Sequence, residues 1–424
     1  MDYLSRIWQY RDLRNKITIA ASLLILTRVI AHVPLPGVNL DQLRLFFQNS
    51  QIFGLLDMFS GGTMSNFSII LMGVGPFITS SIIFQLLAMI IPSLEELQKE
   101  GQSGQQKINQ YTRFATVPIA ILQAYSMLAI LKSQGIVPAW TSFDLIVMLI
   151  SATAGTMLLM WIGEIISEKG IGNGISLIIA LGILSGFPTQ FRNTAALISS
   201  GDMSKIITLI AIMILFIIIV AGIIYITEGQ RNVAVSYARR VRGGTGHGSV
   251  DSHLPIRVNT AGVIPIIFAM SIMLVPGVLG KYLESAKTEW VREAATFTVN
   301  FFNNNTYYSI IYFFLIFAFT YFYVSVVFKP ERISENLQKQ GGFLPGLRPG
   351  TETKQYLGRV IGRITFIGAL FLGLIGVMPY IIQSATNIDT LAIGGTGILI
   401  LVSVVIETMK QLNSQLIMHT YDRY

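Results

Sequence analysis

Long runs without charged residues alternate with short charged segments along the chain. A helix needs about 20 consecutive apolar residues to cross the hydrocarbon core of a bilayer. A first such span, around Ile17–Val33, is interrupted only by Arg28 near its far end, where a long side chain can reach the interface. Further windows free of Asp, Glu, Lys and Arg are Met58–Leu94, Phe114–Leu131, Leu145–Gly163, Gly170–Phe191, Ile206–Thr227, Val258–Gly280, Ala294–Phe328, Ile364–Ile388 and Thr390–Ile406.

The window Met58–Leu94 is too long for one span. It contains Ser60-Gly61-Gly62-Thr63, which indicates a short helix or loop before a span at about Ile69–Ile91. The pattern therefore predicts ten transmembrane helices. Composition agrees, because 52% of the residues are hydrophobic, only 12% are charged and the mean hydropathy is +0.61. Soluble globular chains contain roughly 25% charged residues, so we expect an all-α polytopic membrane protein.

Basic residues are distributed unevenly between the two sides of the predicted membrane. Most of the 30 Lys and Arg residues flank the spans on the side of the two termini, and such residues mark the cytoplasmic side. Both termini are therefore expected in the cytoplasm. Two hydrophilic loops on that side, at about 228–257 and 329–363, either dock a partner or only supply orientation charge. In the second loop, two Pro-Gly turns present Arg348 at a defined place.

Two pairs of short motifs suggest an internal repeat. Gly73–Ile78 in the second span resembles Gly262–Ile267 in the seventh, and Asn173–Ile175 at the fifth resembles Thr396–Ile398 at the tenth. Five spans separate the partners of each pair, so the partners point in opposite directions across the membrane. Inverted repeats of this kind mark a central pathway. Chance is a competing explanation for matches this short in so apolar a chain.

The chemistry of an enzyme is missing from the sequence. None of the 4 His residues lies at mid-membrane, there is no HExxH motif, and the absence of Cys removes thiolate catalysis. The glycine-rich stretch Gly243–Ser249 lacks the Lys of a phosphate-binding loop and indicates a flexible hairpin tip. Charged residues in the predicted spans are limited to Arg28 and Glu407, both near helix ends, which argues against proton relays. We therefore predict neither a catalytic site nor a cofactor or metal.

Motifs spread over nearly the whole chain resemble the SecY family, whose members are the large subunits of the bacterial protein-conducting channel. They occur in order at Met58–Gly62, Pro76–Leu87, Gly101–Gly104, Gln110–Arg113, Trp161–Glu164, Gly170–Ser176, Ser252–Pro255, Val258-Asn259, Ala261–Pro265, Pro345–Gly350 and Gly394–Thr396. The resemblance implies an hourglass of two five-helix halves, 1–204 and 205–424. In the family, the waist of the hourglass is an apolar ring, here matched by Val74, Ile78, Ile175, Ile179, Ile267 and Ile400.

Two further elements follow from the resemblance. A plug, a short helix that blocks the funnel on the outer side, matches Leu56, Asp57, Met58, Phe59, Ser60, Gly61, Gly62, Thr63, Met64, Ser65, Asn66 and Phe67. A sideways opening, the lateral gate, would be flanked by Thr79 and by Val275, where many relatives have Phe. Asn173 and Asn259 match polar positions that help to hold the closed state. A connecting loop in place of the plug, and simple helix caps in place of the polar pair, are the alternatives.

The resemblance also implies the partners and the mode of action. SecE and SecG would accompany the chain, and the motor ATPase SecA or a ribosome would dock on the cytoplasmic loops through Arg240, Arg242 and Arg348. The loop tip around Arg242–Ser252 departs from the family's pattern, because it is unusually rich in glycine and poor in basic residues. A signal sequence of a preprotein would enter from membrane lipid at the lateral gate of a passive channel in the bacterial cell membrane. An inverted-repeat secondary transporter of a small solute and an intramembrane enzyme are the alternatives.

Overall fold

The computed structural model describes residues 8–35, 40–49, 57, 60–133, 135–136, 141–199, 203–237, 250–284, 288–386 and 395–421. The helices of the first part of the chain are α1 Arg11–Ala31, α2 Leu40–Asn49, α3 Gly75–Ile90, α4 Pro92–Lys99, α5 Gln102–Ser133, α6 Ser142–Lys169 and α7 Gly174–Ser199. Those of the second part are α8 Met203–Glu228, α9 Ile264–Leu283, α10 Glu289–Asn303, α11 Asn305–Val327, α12 Pro330–Lys339, α13 Thr351–Thr386 and α14 Gly395–Tyr421.

The helices account for the predicted membrane spans. In the described part of the chain, 6 segments are long and apolar enough to cross a membrane, and they lie in α5, α6, α8, α11 together with α12, α13 and α14. The helices α3 and α4 meet at a bend of 101° and add a seventh, while α7 and α9 contain shorter apolar helices. Together with α1 these are the ten spans that the sequence predicts. The protein is therefore a multi-pass, largely helical membrane protein.

Two predicted span boundaries are wrong. The second span begins at Gly75 and not at about Ile69, because turns occupy the residues up to Val74 and Pro76 lies in the first turn of α3. The window Ala294–Phe328 is divided between α10 and α11. Asn304 ends the first of these helices in an extended conformation, and its side chain accepts a hydrogen bond from the backbone N–H of Thr306. The charge-free window did not predict this break, because Asn is uncharged.

The two hydrophilic loops form one unit around a small sheet. Its strands are β1 Gln230–Tyr237, β2 Val250–Arg257 and β3 Gly342–Phe343, in the antiparallel order β2-β1-β3. In the hairpin, Gln230 pairs with Arg257 and Tyr237 with Val250. An apolar cluster joins this sheet to α12 and α13 through Val235, Leu337 and Leu357. The sequence pattern does not predict that the two loops join, because the two residues of β3 are too few to give a strand pattern.

Candidate functional site

The six residues of the predicted ring come together in one apolar cluster. Val74, Ile179 and Ile400 are buried in it, and Ile78, Ile175 and Ile267 are half-buried at its edge. They come from the start of α3 and from α7, α9 and α14, so both parts of the chain contribute. Residues four apart on a helix lie on one face, which explains why Val74 and Ile78, and also Ile175 and Ile179, reach the cluster as pairs. Their role as a pore ring stays a prediction.

The starts of α3 and α9 share one backbone geometry. Val74 is the N-cap of α3 with φ −92° and ψ 3°, and Val263 is the N-cap of α9 with φ −95° and ψ −7°. The residue before each N-cap is a glycine with positive φ, 56° in Gly73 and 64° in Gly262. A proline occupies the first turn of both helices. The similarity between these motifs in the sequence therefore extends to the structure, and it gives Ile78 and Ile267 the same position relative to their helix starts.

The start of α7 lies tightly against α6. A Cβ on Gly174 would come 1.9 Å from the carbonyl oxygen of Gly163, so these backbones touch without side chains between them. The hydroxyl of Ser167 accepts a hydrogen bond from the N–H of Gly174 at 2.9 Å. Ile175 follows directly, and its Cγ1 atom lies 2.9 Å from an ideal Cβ on Gly163. The glycines of the two helices therefore set how far Ile175 extends toward the cluster.

The described part of the predicted plug combines helical residues with a series of turns. Asp57 and Ser60 are helical, and residues 61–67 are in turns and bends. Asp57 organises them, because its carbonyl oxygen accepts from the N–H of Gly62 and its carboxylate from the N–H of Ser65, both at 2.8 Å. Phe67 is fully buried, and its carbonyl accepts from the N–H of Leu35 at 2.7 Å. Leu56, Met58 and Phe59 lie outside the described residues.

The turns of the plug contact α1 and α7. The carbonyl oxygen of Gly61 accepts a hydrogen bond from Nη1 of Arg28 at 3.0 Å, and an ideal Cβ on Gly61 would lie 2.6 Å from the Cα of Gly182. The expectation that Arg28 extends to the membrane interface is therefore wrong. The sequence does contain a signal for this contact, namely an Arg in a predicted span and a glycine pair in a window without charge, but the two signals lie 33 residues apart.

The predicted lateral-gate and polar positions are distributed as follows. The hydroxyl of Thr79 donates to the carbonyl of Gly75 and accepts from Gln123 of α5. Val275 lies in α9, but its side chain is outside the described part of the structure. Asn173 caps α7, because its Oδ1 accepts from the N–H of Ser176 at 3.3 Å. Asn259 is buried, and its Oδ1 has no hydrogen-bond partner among the described residues.

Arg348 lies at an exposed tip whose backbone is fixed. Its N–H donates to the carboxylate of Glu352 at 3.1 Å, and its carbonyl accepts from the hydroxyl of Thr353 at 3.0 Å. Nearby, Lys354 pairs with Glu331, and the hydrogen bond and positive charge of Lys354 hold the pKa of that carboxyl below its usual value. The guanidinium of Arg348 itself has no hydrogen-bond partner in the described part of the chain. Its cationic end is available to a partner.

The other two predicted docking residues, Arg240 and Arg242, lie outside the described residues.

An ion pair that the sequence does not predict joins two of the motifs shared with the SecY family. Nε of Arg113 on α5 lies 2.6 Å from a carboxylate oxygen of Glu164 on α6. Both residues stand out in the sequence as charges next to apolar spans, but nothing in the sequence pairs them.

The geometry is that of a helical bundle with an apolar cluster between its two parts and a turn-rich segment beside that cluster. The family model of SecY matches residues 68–409. The chain belongs to the SecY family. The protein translocase subunit SecY of Corynebacterium glutamicum is 40% identical over 444 aligned residues, which cover 100% of this chain and 99% of the relative.

Solved structures with the same fold are similar in shape though distant in sequence. A structure described as a protein conducting channel has a TM-score of 0.65 at 16% identity, covering 95% of this chain and 92% of the other. Sec61 in a canine ribosome-channel complex from the endoplasmic reticulum has a TM-score of 0.62 at 17% identity, with the same coverage of both chains. At these identities, the likeness establishes the SecY-type arrangement of helices.

Proposed function

We propose that this chain forms the pore of a protein-conducting channel. Unfolded secretory proteins would cross the membrane through it, and transmembrane segments would leave it sideways into lipid. The observation that supports this most directly is the apolar cluster to which both parts of the chain contribute ring residues. Branched apolar side chains exclude water and ions when they meet, and they yield around a peptide of any sequence. Membership of the SecY family gives the same function.

The proposal gives each part of the site one task. The ring of Val74, Ile78, Ile175, Ile179, Ile267 and Ile400 would seal the waist between the halves 1–204 and 205–424. The plug at Leu56–Phe67 would close the funnel beside it. Thr79 and Val275 would flank the lateral gate, and Asn173 and Asn259 would favour its closed state. The Oδ1 of Asn259, which is unpaired within the part of the chain that the structure describes, is available for such a contact.

The driving force would come from partners. We propose that SecA or a ribosome docks on the cytoplasmic loops, with Arg348 at the contact. SecE and SecG would accompany the chain, and SecE would brace its two halves. An exposed guanidinium suits the anionic surface of ribosomal RNA, and the Sec61 structure of the same fold is described in a ribosome-channel complex. The chain itself would catalyse no reaction and hold no cofactor. Its place would be the bacterial cell membrane, with both termini in the cytoplasm.

Reconstitution tests this function. The chain is inserted into proteoliposomes with SecE and SecG and supplied with purified SecA, ATP and a radiolabelled preprotein. We expect the preprotein to become protected from added protease only when ATP and SecA are both present. Proteoliposomes without the chain are the control. Failure of protection, together with saturable uptake of a small solute driven by an ion gradient, would establish the secondary transporter instead.

A further inference from the structure

Arg28 occupies an unusual place for a charged residue. It lies in the last turn of α1 and is half-buried, although a charged side chain within a membrane span costs several kcal/mol unless it is paired. Its partner in this structure is a backbone carbonyl, that of Gly61, at 3.0 Å from Nη1. Ser185 of α7 also approaches this oxygen, at 3.4 Å, but its hydroxyl donates more closely to Gly182, at 2.6 Å. Arg28 is therefore the main donor to Gly61.

The backbone conformation and close neighbours of Gly61 leave no room for a larger residue. Gly61 has φ +76°, and a Cβ there would lie 2.6 Å from the Cα of Gly182 and 2.9 Å from Nη1 of Arg28. The plug backbone thus touches α7 on one side and the guanidinium on the other. Because the plug contributes only backbone atoms to these contacts, they depend on the position of the plug and not on its side chains.

A small cavity separates Arg28 from the apolar cluster. Its volume is about 20 Å³, and its lining includes Arg28, Thr27, Ser60, Thr63, Val74 and Ile179. This is enough for about one water molecule, and the three hydroxyl groups offer that water hydrogen-bond partners. Arg28 therefore lies between the plug and the ring, in contact with the first and beside the second.

We propose that Arg28 is a latch that holds the plug closed. The hydrogen bond from Nη1 to Gly61 exists only while the plug is seated, so it adds its free energy to the closed state alone. Displacement of the plug leaves the guanidinium without this acceptor. The inference rests on the proposed function, because it takes the segment 56–67 to be a plug that moves.

A disulfide can report whether the plug is seated. The chain has no Cys, so an introduced pair has no competing thiols. An ideal Cβ on Gly73 lies 3.6 Å from the Cβ of Ser60, which is within the roughly 3.5–4.5 Å range of disulfides. The double variant Ser60→Cys, Gly73→Cys should therefore oxidise while the plug is seated. All comparisons are made within this background, so the strain of a Cys at the positive φ of Gly73 affects every sample equally.

The latch is tested by Arg28→Gln in this background, in proteoliposomes that also contain SecE and SecG. A hydrogen bond to a charged group shifts an equilibrium by about tenfold or more, so the population with an unseated plug should rise about tenfold. We expect an ion conductance about tenfold higher in planar bilayers under reducing conditions, and a lower rate of disulfide formation under oxidising ones. Arg292→Gln is the matched control, because Arg292 pairs with Glu289 at 3.7 Å, away from the plug. The disulfide formation rate and the ion conductance of Arg292→Gln should equal those of the parent. A thermal unfolding temperature of Arg28→Gln close to that of the parent would show that the variant is folded.

A second variant separates the latch from the plug itself. When residues 57–65 are replaced by a short Gly-Ser linker, the channel should conduct ions, and adding Arg28→Gln should increase the conductance no further. If the linker variant conducts no more than the parent, the plug assignment fails and the latch fails with it. If the linker variant conducts but Arg28→Gln changes neither the disulfide rate nor the conductance of the full-length chain, the latch alone is overturned.

Discussion

Gln411 on α14 accepts a hydrogen bond from the backbone N–H of Gly172, 239 residues earlier in the chain, at 2.9 Å. Gly172 has φ +87°, and a Cβ there would come 3.2 Å from the hydroxyl of Thr408, also on α14. The turn before α7 is therefore pressed against the last helix. Since α7 contains Ile175 and α14 contains Ile400, this bond helps to fix the distance between opposite members of the apolar cluster.

The first prediction concerns this bond. Gln411→Leu leaves the N–H of Gly172 without its acceptor, and a buried unpaired donor costs about 1–3 kcal/mol. We expect a lower thermal unfolding temperature in detergent and a raised ion leak in proteoliposomes. Gln411→Glu retains an acceptor oxygen and should stay close to the parent in both measurements. Equal unfolding temperatures for the Leu and Glu variants would show that the bond contributes nothing.

The second prediction concerns the ring. Ile400 is only 1% exposed within the apolar cluster, so Ile400→Asn places an amide where side chains from several helices meet. The polar amide allows water to enter the cluster. We therefore expect ion leakage together with export of preproteins that have defective signal sequences. Ile175→Asn should act in the same direction.

The control for the ring is an isoleucine on the outside of the bundle. Ile217 on α8 is 64% exposed, so Ile217→Asn adds the same amide to a helix without entering the cluster. Its signal-sequence selectivity in a translocation assay should match that of the parent. The ring assignment is wrong if Ile400→Asn and Ile217→Asn behave alike.

The third prediction concerns the plug. Because Phe67 is fully buried and its carbonyl pairs with Leu35, removal of the whole segment Leu56–Phe67 would also damage the core. Replacement of residues 57–65 alone should give a folded channel that conducts ions at rest and still exports preproteins in part. Single-channel recording in planar bilayers measures this. A conductance identical to that of the parent would mean that the segment is a connecting loop.

The fourth prediction concerns Arg348. Its backbone is held by Glu352 and Thr353, while its guanidinium has no partner among the described residues, so Arg348→Glu should fold normally. We expect a loss of SecA-driven preprotein export, because the substitution reverses the charge that the tip offers to its partner. Arg292→Glu, on the opposite side of the predicted membrane, is the control. Export at the parental rate by Arg348→Glu would remove this residue from the docking site.

The sequence predicted the local features well. The likeness between Gly73–Ile78 and Gly262–Ile267 extends to the starts of α3 and α9, because a glycine supplies the positive φ before the N-cap and a proline suits the first turn. The predicted start of the second span at about Ile69 was nevertheless wrong. The hairpin around the glycine-rich stretch 243–249 is likewise flanked by paired strands. Each of these features depends only on neighbours within a few residues.

Other features could not be predicted from the sequence. The helix break at Asn304 was not predicted because Asn is uncharged and does not interrupt a charge-free window. The strand β3 was not predicted because two residues show no periodicity. Arg28 was expected at the interface because a long side chain near a helix end has that option. Its partner is a backbone carbonyl oxygen 33 residues away. The sequence marks the Arg and the glycine pair separately, but nothing in it connects the two.

The sequence by itself determined that the chain crosses a membrane about ten times and that its basic loops share one side, because hydrophobic length and charge act on each segment separately. Only the tertiary structure decided which side chains meet between the helices, where the plug segment lies and which oxygen Arg28 binds. Those contacts join residues as far apart as Gly172 and Gln411, and the distance between such residues is fixed by the packing of whole helices.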